Sequence, residues 1–278
     1  MEKRTVLITG CSSGIGFDSA MTLFKRGWRV LATCRQEKDC DRLQEMGLES
    51  FVLDYSSPTS IRSGFDEAMS RTGNSLFALF NNGAHGQMAA VEDIPVEALR
   101  EIFEVNFFGY HELTRLVIPV MRKQGFGRIV QNSSILGFTG LPWRGAYNST
   151  KFALEGISET LRIELRTSGI HLSLIQPGPI STRIRINTRP HFEKWINWES
   201  SPLAEDYRTR LIPRLYQETG KKDAFELPAS AVTKVLIHAL EANRPKAKYR
   251  VTFPTHFMAF LKRVLPTNAV DSILARQF

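Results

Sequence analysis

The run Thr5-Val6-Leu7-Ile8-Thr9-Gly10-Cys11-Ser12-Ser13-Gly14-Ile15-Gly16 decides how the chain is read. A short β-branched and aliphatic stretch passes directly into three glycines and then into an amphipathic segment near 15–27. Strand, glycine turn and helix in that order bring backbone N–H groups and the positive end of a helix to one point, where a pyrophosphate can sit. The glycines stand as Gly-x3-Gly-x-Gly rather than the commoner Gly-x-Gly-x2-Gly, so a tight turn without a ligand is the competing reading.

The alternation continues outward. Short apolar runs at 30–33, 51–53, 77–80, 128–131, 172–175 and 249–252 are separated by helix-like segments at 37–46, 58–71, 97–123, 150–168 and 228–242. Strands that alternate with helices predict right-handed βαβ units and a parallel sheet. Their continuous apolar character fits strands covered on both faces. The expectation is a single α/β domain over residues 1–278, a doubly wound (Rossmann) parallel sheet of about seven strands with helices on both faces. The stretch at about 181–227 is rich in Arg, Trp and Pro, lacks clear periodicity and reads as a long irregular loop, functional or mobile.

With 42% hydrophobic residues and 19 glycines among 278, the composition is globular, and disorder or a collagen-like repeat is excluded. Cys11, Cys34 and Cys40 are too few for a disulfide framework and lack zinc spacing, so no metal site is expected and a reducing compartment fits. The formal net charge of +8 raises nucleic acid as a partner. Residues 1–180, however, hold 19 basic and 19 acidic side chains, and residues 181–278 hold 17 and 9. The excess is scattered through the last third and forms no basic helix, so no nucleic-acid partner is expected. A strand beginning at Thr5 leaves no room for a signal peptide, and no apolar stretch reaches the ~20 residues that span a bilayer. The expected location is cytoplasmic.

Thr9–Gly16, Asn81-Asn82-Gly83-Ala84, Asn106, Ser134, Tyr147-x3-Lys151 and Pro177-Gly178 occur in the order and spacing of the short-chain dehydrogenases/reductases, which the chain resembles over roughly residues 4–182. Singly these motifs are weak; together they are specific. Residues 140–156 resemble the branch containing 17β-hydroxysteroid and retinol dehydrogenases. The whole chain is more similar still to bacterial NADP-dependent aldehyde reductases of that branch. The resemblance implies that Gly10, Ser12, Ser13, Gly14, Ile15 and Gly16 bind the dinucleotide and that Asp54 contacts its adenine. It further implies that Asn82 braces the central strand and cofactor, and that Pro177, Gly178 and Thr182 position the nicotinamide. Where the family usually has Ala-Gly, this chain has Gly83-Ala84.

The second strand ends Ala32-Thr33-Cys34-Arg35, without the carboxylate that would take a ribose 2′-hydroxyl. Arg35 can instead meet a 2′-phosphate with a charge-assisted fork, helped by the Ser12 or Ser13 hydroxyl. NADP(H) is therefore expected over NAD(H), against the plainer reading of Arg35 as a solvated charge.

Tyr147 and Lys151, four residues apart, share one helix face. A free phenol, with a pKa near ~10, is a poor proton shuttle at neutral pH. A nearby ammonium and an oxidised nicotinamide both favour phenolate and lower that value. Carbonyl reduction needs hydride on carbon and a proton on oxygen, and such a tyrosine can donate the proton. By the family's 13-residue spacing, Ser134 rather than its neighbour Ser133 holds the substrate oxygen. The resemblance also gives Lys151 a hydrogen bond to the cofactor ribose and Asn106 a water in the proton relay.

Residues 183–226 correspond to the family's variable substrate loop. Phe192, Trp195, Trp198, Leu203, Tyr207, Ile212, Leu215 and Tyr216 either wall an apolar pocket or pack against the loop or a neighbouring subunit. In the tail, Phe257, Phe260, Leu261, Val264 and Leu265 form one stripe of an amphipathic helix at about 255–265, capped by Thr255 and stopped by Pro266. The stripe fits packing on the core or a partner subunit, or peripheral contact with a membrane surface.

The expected activity is NADPH-dependent reduction of aldehydes or ketones, bulky or long-chain and apolar, to alcohols, by a homo-oligomer. The rivals are a hydroxysteroid or retinol dehydrogenase working oxidatively, and a non-catalytic NADP-binding sensor. The sensor would show a broken Ser-Tyr-Lys set.

Overall fold

The computed structural model describes residues 4–217 and 223–276. Its strands are β1 (Thr5–Ile8), β2 (Arg29–Cys34), β3 (Glu49–Val52), β4 (Ala78–Asn81), β5 (Gly127–Asn132), β6 (Ile170–Pro177) and β7 (Lys248–Val251). They lie in the order β3-β2-β1-β4-β5-β6-β7 with every neighbouring pair parallel. All seven predicted strands are present. The third begins two residues before its apolar run, because Glu49 pairs with Leu31 through the backbone while its carboxylate takes Arg29 (Nε to Oε1 2.6 Å).

The pleat of the sheet divides the core in two. In β1, Val6 and Ile8 join one cluster and Leu7 the other, as alternation of side chains requires. The first cluster is covered by α1 (Gly14–Lys25), α2 (Glu37–Glu45) and a late helix at 230–241, through Leu23, Leu43 and Leu236. The second is covered by α3 (Pro58–Thr72), by the rod of α4 (Val96–Phe103) and α5 (Gly109–Gln124), and by α6 (Gly145–Glu164), through Ile61, Leu113 and Leu154. Each such leucine, removed from water, contributes about 1.5–3 kcal/mol. Between α4 and α5 the rod makes a π-helical turn over Glu104–Phe108. α6 starts five residues before its predicted onset, so Tyr147 falls in its first turn.

The segment expected to be irregular is largely helical: α7 (Ile184–Trp195), a short turn at Trp198–Ser200, then α8 (Ala204–Asp206), a π turn at Tyr207–Leu211 and α9 (Ile212–Leu215). Residues 218–222 of it, Lys221 and Lys222 among them, lie outside the described residues. Phe192, Tyr207 and Leu215 are buried in a small core with Met88, Ala89, Ile196 and Leu211, and Trp195, Trp198, Leu203 and Ile212 pack against it. Most of the predicted pocket residues therefore pack within the segment and against the turn after β4. Tyr207 explains why: its hydroxyl donates to Asp93 Oδ2 (2.8 Å) and accepts from the Ala90 N–H (2.9 Å), fastening the segment to that turn.

α10 (Ser230–Glu241) leads to β7, α11 (Phe253–Val264) and α12 (Thr267–Ala275). α11 begins two residues earlier than predicted, with Thr252 at its N-cap. Thr255 is buried and donates to the Val251 carbonyl (2.9 Å) rather than capping the helix. Only part of its stripe is packed: Leu261 is buried with Met258, whereas Phe253, Phe257, Phe260 and Val264 face outward. Among the described residues no helix is long and apolar enough to cross a membrane.

Candidate active site

The strand order reverses between β1 and β4, and the crevice at their C-terminal ends is where a doubly wound sheet binds its ligand. The glycine loop lies there. Gly10 has φ +69° and Gly14 φ +58°, backbone that side chains rarely adopt. A Cβ on Gly10 would meet the Gly83 Cα at 2.5 Å, and one on Gly16 the Gly10 carbonyl oxygen at 2.3 Å. The reversed Gly83-Ala84 pair thus places its smaller member against Gly10. Ser13 is the N-cap of α1 and makes no side-chain cap bond, which leaves its hydroxyl for a phosphate. Asn82 Nδ2 donates to the carbonyls of Thr9 (2.9 Å) and Gly10 (3.4 Å), while its Oδ1 accepts from Asn132 (2.9 Å), tying β1, β4 and β5 together at the crevice. These residues fit a dinucleotide: bare backbone at the helix start, and a loop braced from behind.

Arg35 is exposed just past β2 and, among the described residues, makes no ion pair. Sequence reasoning missed Arg42 of α2, whose guanidinium donates to the Ser12 carbonyl (2.6 Å) and lies over the Phe17 ring (5.6 Å). It places a second cation at the Ser12 end of the loop. Asp54 Oδ1 accepts from the Ser56 N–H (2.9 Å), and the Asp54 N–H donates to Ser60 Oγ (3.0 Å), which hold the turn after β3.

The structure brings Ser134, Tyr147 and Lys151 together. Ser134 follows β5 and lies close enough to the Tyr147 phenol to pull its value down. Ser133 Oγ, in contrast, is buried and has no hydrogen-bond partner among the described residues. Lys151 is buried, donates to the Asn132 carbonyl (2.8 Å) and lies 5.6 Å from the Tyr147 ring centroid. Within the chain itself, burial opposes the lowering expected from the ammonium. Desolvation pushes Tyr147 up to about 12, against a downward pull from Ser134, and desolvation pushes Lys151 down to about 7, opposed by Glu155. Burial outweighs a cation that is turned toward Asn132.

Asn106 sits on the π turn, fully buried. Its Oδ1 accepts from the His85 N–H (3.1 Å), and its Nδ2 donates to the His85 carbonyl (2.9 Å) and weakly to Thr150 Oγ1 (3.4 Å). Beyond β6, the Gly178 N–H donates to Val251 (3.0 Å), and a Cβ on Gly178 would meet Thr252 Oγ1 at 2.2 Å. The turn continues to Thr182, which lies against Gly14 across the crevice and so faces the glycine loop.

A second cluster, unseen in the sequence, borders Asn106. The His85 and His191 rings stack with centroids 3.7 Å apart and planes at 9°, and His191 Nδ1 lies 2.6 Å from Glu101 Oε1. Burial, with His191 beside it, lowers His85 to about 4, so the ring is neutral at pH 7. Its residues are 85, 101 and 191, so no spacing rule could have joined them.

The short chain dehydrogenase family profile matches residues 4–192. An uncharacterized oxidoreductase of Escherichia coli K12, YbbO, is 39% identical over 272 residues, covering 98% of this chain and 94% of that protein. The rat 17-beta-hydroxysteroid dehydrogenase type 6 is 32% identical, covering 99% and 89%. A solved short-chain dehydrogenase from Streptomyces avermitilis superposes with a TM-score of 0.77 at 26% identity, covering 99% and 94%. Members of this family use NAD or NADP. On fold, crevice and likeness together, the chain belongs to the short-chain dehydrogenases/reductases and is an oxidoreductase.

Proposed function

We propose that the protein reduces bulky or long-chain apolar aldehydes and ketones to alcohols, with NADPH as hydride donor and Tyr147 as proton donor. The observation that carries this reading is the contact of Ser134 with a phenol raised to about 12. Such a phenol keeps its proton at neutral pH, and its transfer to a forming alkoxide runs downhill. Ser134 orients the carbonyl oxygen, and Lys151 beneath the ring stabilises the phenolate left behind. Gly10, Ser12, Ser13, Gly14, Ile15 and Gly16 would hold the dinucleotide phosphates, Asp54 the adenine, Asn82 the loop, and Pro177, Gly178 and Thr182 the nicotinamide end. Asn106, with His85, would steady the proton path.

Preference for NADPH is supported by Arg35, which makes no ion pair among the described residues, with Arg42 near the same loop. A homo-oligomer is supported by Leu99, Phe108, Phe152 and Ile163, exposed on α4, the following π turn and α6. The outward row on α11, flanked by Arg263, supports peripheral contact with an anionic membrane. Three free buried thiols fit a cytoplasmic location.

The test follows NADPH consumption with medium- and long-chain aldehydes, retinal and steroid ketones, each repeated with NADH. Turnover of apolar aldehydes with NADPH is expected. Turnover confined to alcohol oxidation, or equal use of NADH, would overturn the direction or the cofactor preference respectively.

A further inference from the structure

We infer that His85, Glu101 and His191 form a site for a borderline divalent metal ion of the Zn2+ class, at the seam between the substrate segment and the dinucleotide-binding body. The three side chains come from the turn after β4, from α4 and from α7. Their candidate ligand atoms all lie within 4.8 Å of one another. Two imidazole nitrogens and one carboxylate are a known three-ligand set for Zn2+, with a fourth position left for water.

His85 points to a ligand independently of that proximity. It is only 6% exposed. Its Nδ1 faces the Gly86 carbonyl at 3.1 Å, and a carbonyl can only accept, so Nδ1 carries the hydrogen. Nε2 of the neutral ring is then a lone pair, buried and without a partner among the described residues. A ligating histidine characteristically has its other nitrogen held by a backbone carbonyl in this way.

Binding requires the cluster to tighten. Zn–N bonds of about 2.0–2.1 Å at tetrahedral angles put ligand atoms roughly 3.4 Å apart. The widest separation must therefore close by up to roughly 1.4 Å, with the stacked rings turning toward the ion. Lys194 Nζ, 2.5 Å from Glu101 Oε2, must let go of the carboxylate. Its side chain is 56% exposed, so it has water to return to. The donor set contains no thiolate, which sets it apart from the three buried cysteines.

A bound ion would tie α7 to the residue that grips Asn106. α7 already lies close here, since a Cβ on Gly86 would meet Thr188 Oγ1 at 2.4 Å. The ion would act as a staple on the substrate segment and slow exchange past it.

The test uses the full chain without affinity histidines, stripped with chelator and titrated with Zn2+ against a chromophoric chelator, and with Co2+ by visible absorption. One ion per chain at micromolar affinity is expected, with Co2+ bands of an N/O site. His191→Ala and Glu101→Gln each weaken binding at least tenfold, while His256→Ala, at an exposed histidine on α11, leaves it unchanged. Glu101→Gln preserves shape, so it decides the matter should His191→Ala fail to fold. Binding weaker than about 0.1 mM, affinity equal in the variants, or thiolate-to-Co2+ absorption would each overturn the site.

Discussion

Lys151 is an ammonium placed where burial opposes it, and the stability of the protein should carry that imprint. Its value falls from the ordinary 10.5 to about 7, with desolvation the main cause. Between those values the unfolded chain holds a proton that the folded chain has released. Stability must therefore rise with pH across this window, and be least helped below pH 7. The limiting slope is about 1.36 kcal/mol per pH unit, or about 2.7 kcal/mol between pH 7.5 and 9.5. Lys151→Met keeps the length and removes the titration. The lost bond to the Asn132 carbonyl (2.8 Å) shifts the variant by an amount independent of pH. Urea denaturation of both proteins without added dinucleotide, at pH 7.5, 8.5 and 9.5, separates the two effects. The wild type should gain on the variant by up to about 2.7 kcal/mol across the series. Parallel pH profiles would refute the claim that the ammonium is buried at a cost.

Three further outcomes follow from the geometry. Arg35→Ser should raise the KM for NADPH about ten- to a hundredfold, the worth of one charge-assisted bond, and leave that for NADH little changed; equal effects on both would remove Arg35 from the 2′-phosphate. Ser134→Ala should lower kcat/KM for an aldehyde about a hundredfold or more, whereas Ser133→Ala, which deletes a buried hydroxyl without a partner, should stay near wild type in both activity and melting temperature. Phe257→Asp with Phe260→Asp, at outward positions of α11, should abolish flotation with anionic vesicles while the far-UV spectrum is unchanged; flotation that survives the pair places membrane contact elsewhere.

The sheet was legible because its strands are buried on both faces, so Val6–Ile8 and the runs after it stand out against helical periodicity. The glycine loop and the Tyr147–Lys151 pair were legible because their chemistry is local, set by turns of one loop and one helix. What escaped is what tertiary contact makes. α8 and α9 are short, Pro190 lies within α7, and the π turn over Tyr207–Leu211 breaks the period that would mark a helix. Their order rests on Tyr207 reaching Asp93 and on His191 reaching Glu101, partners about a hundred residues away. Arg42 belongs to α2 yet serves the loop of α1. The upward push of burial on Tyr147 escaped for the same reason: spacing places a cation near the phenol, but only packing shows the ammonium turned to Asn132 and both groups stripped of water.

The central claim is that a proton leaves the Tyr147 oxygen as the carbonyl is reduced. Tyr147→Phe removes that oxygen and keeps the ring, so NADPH binding measured by fluorescence should persist while kcat/KM for a long-chain aldehyde falls by about 10²–10⁴-fold. Turnover by the variant at the wild-type rate would contradict the account.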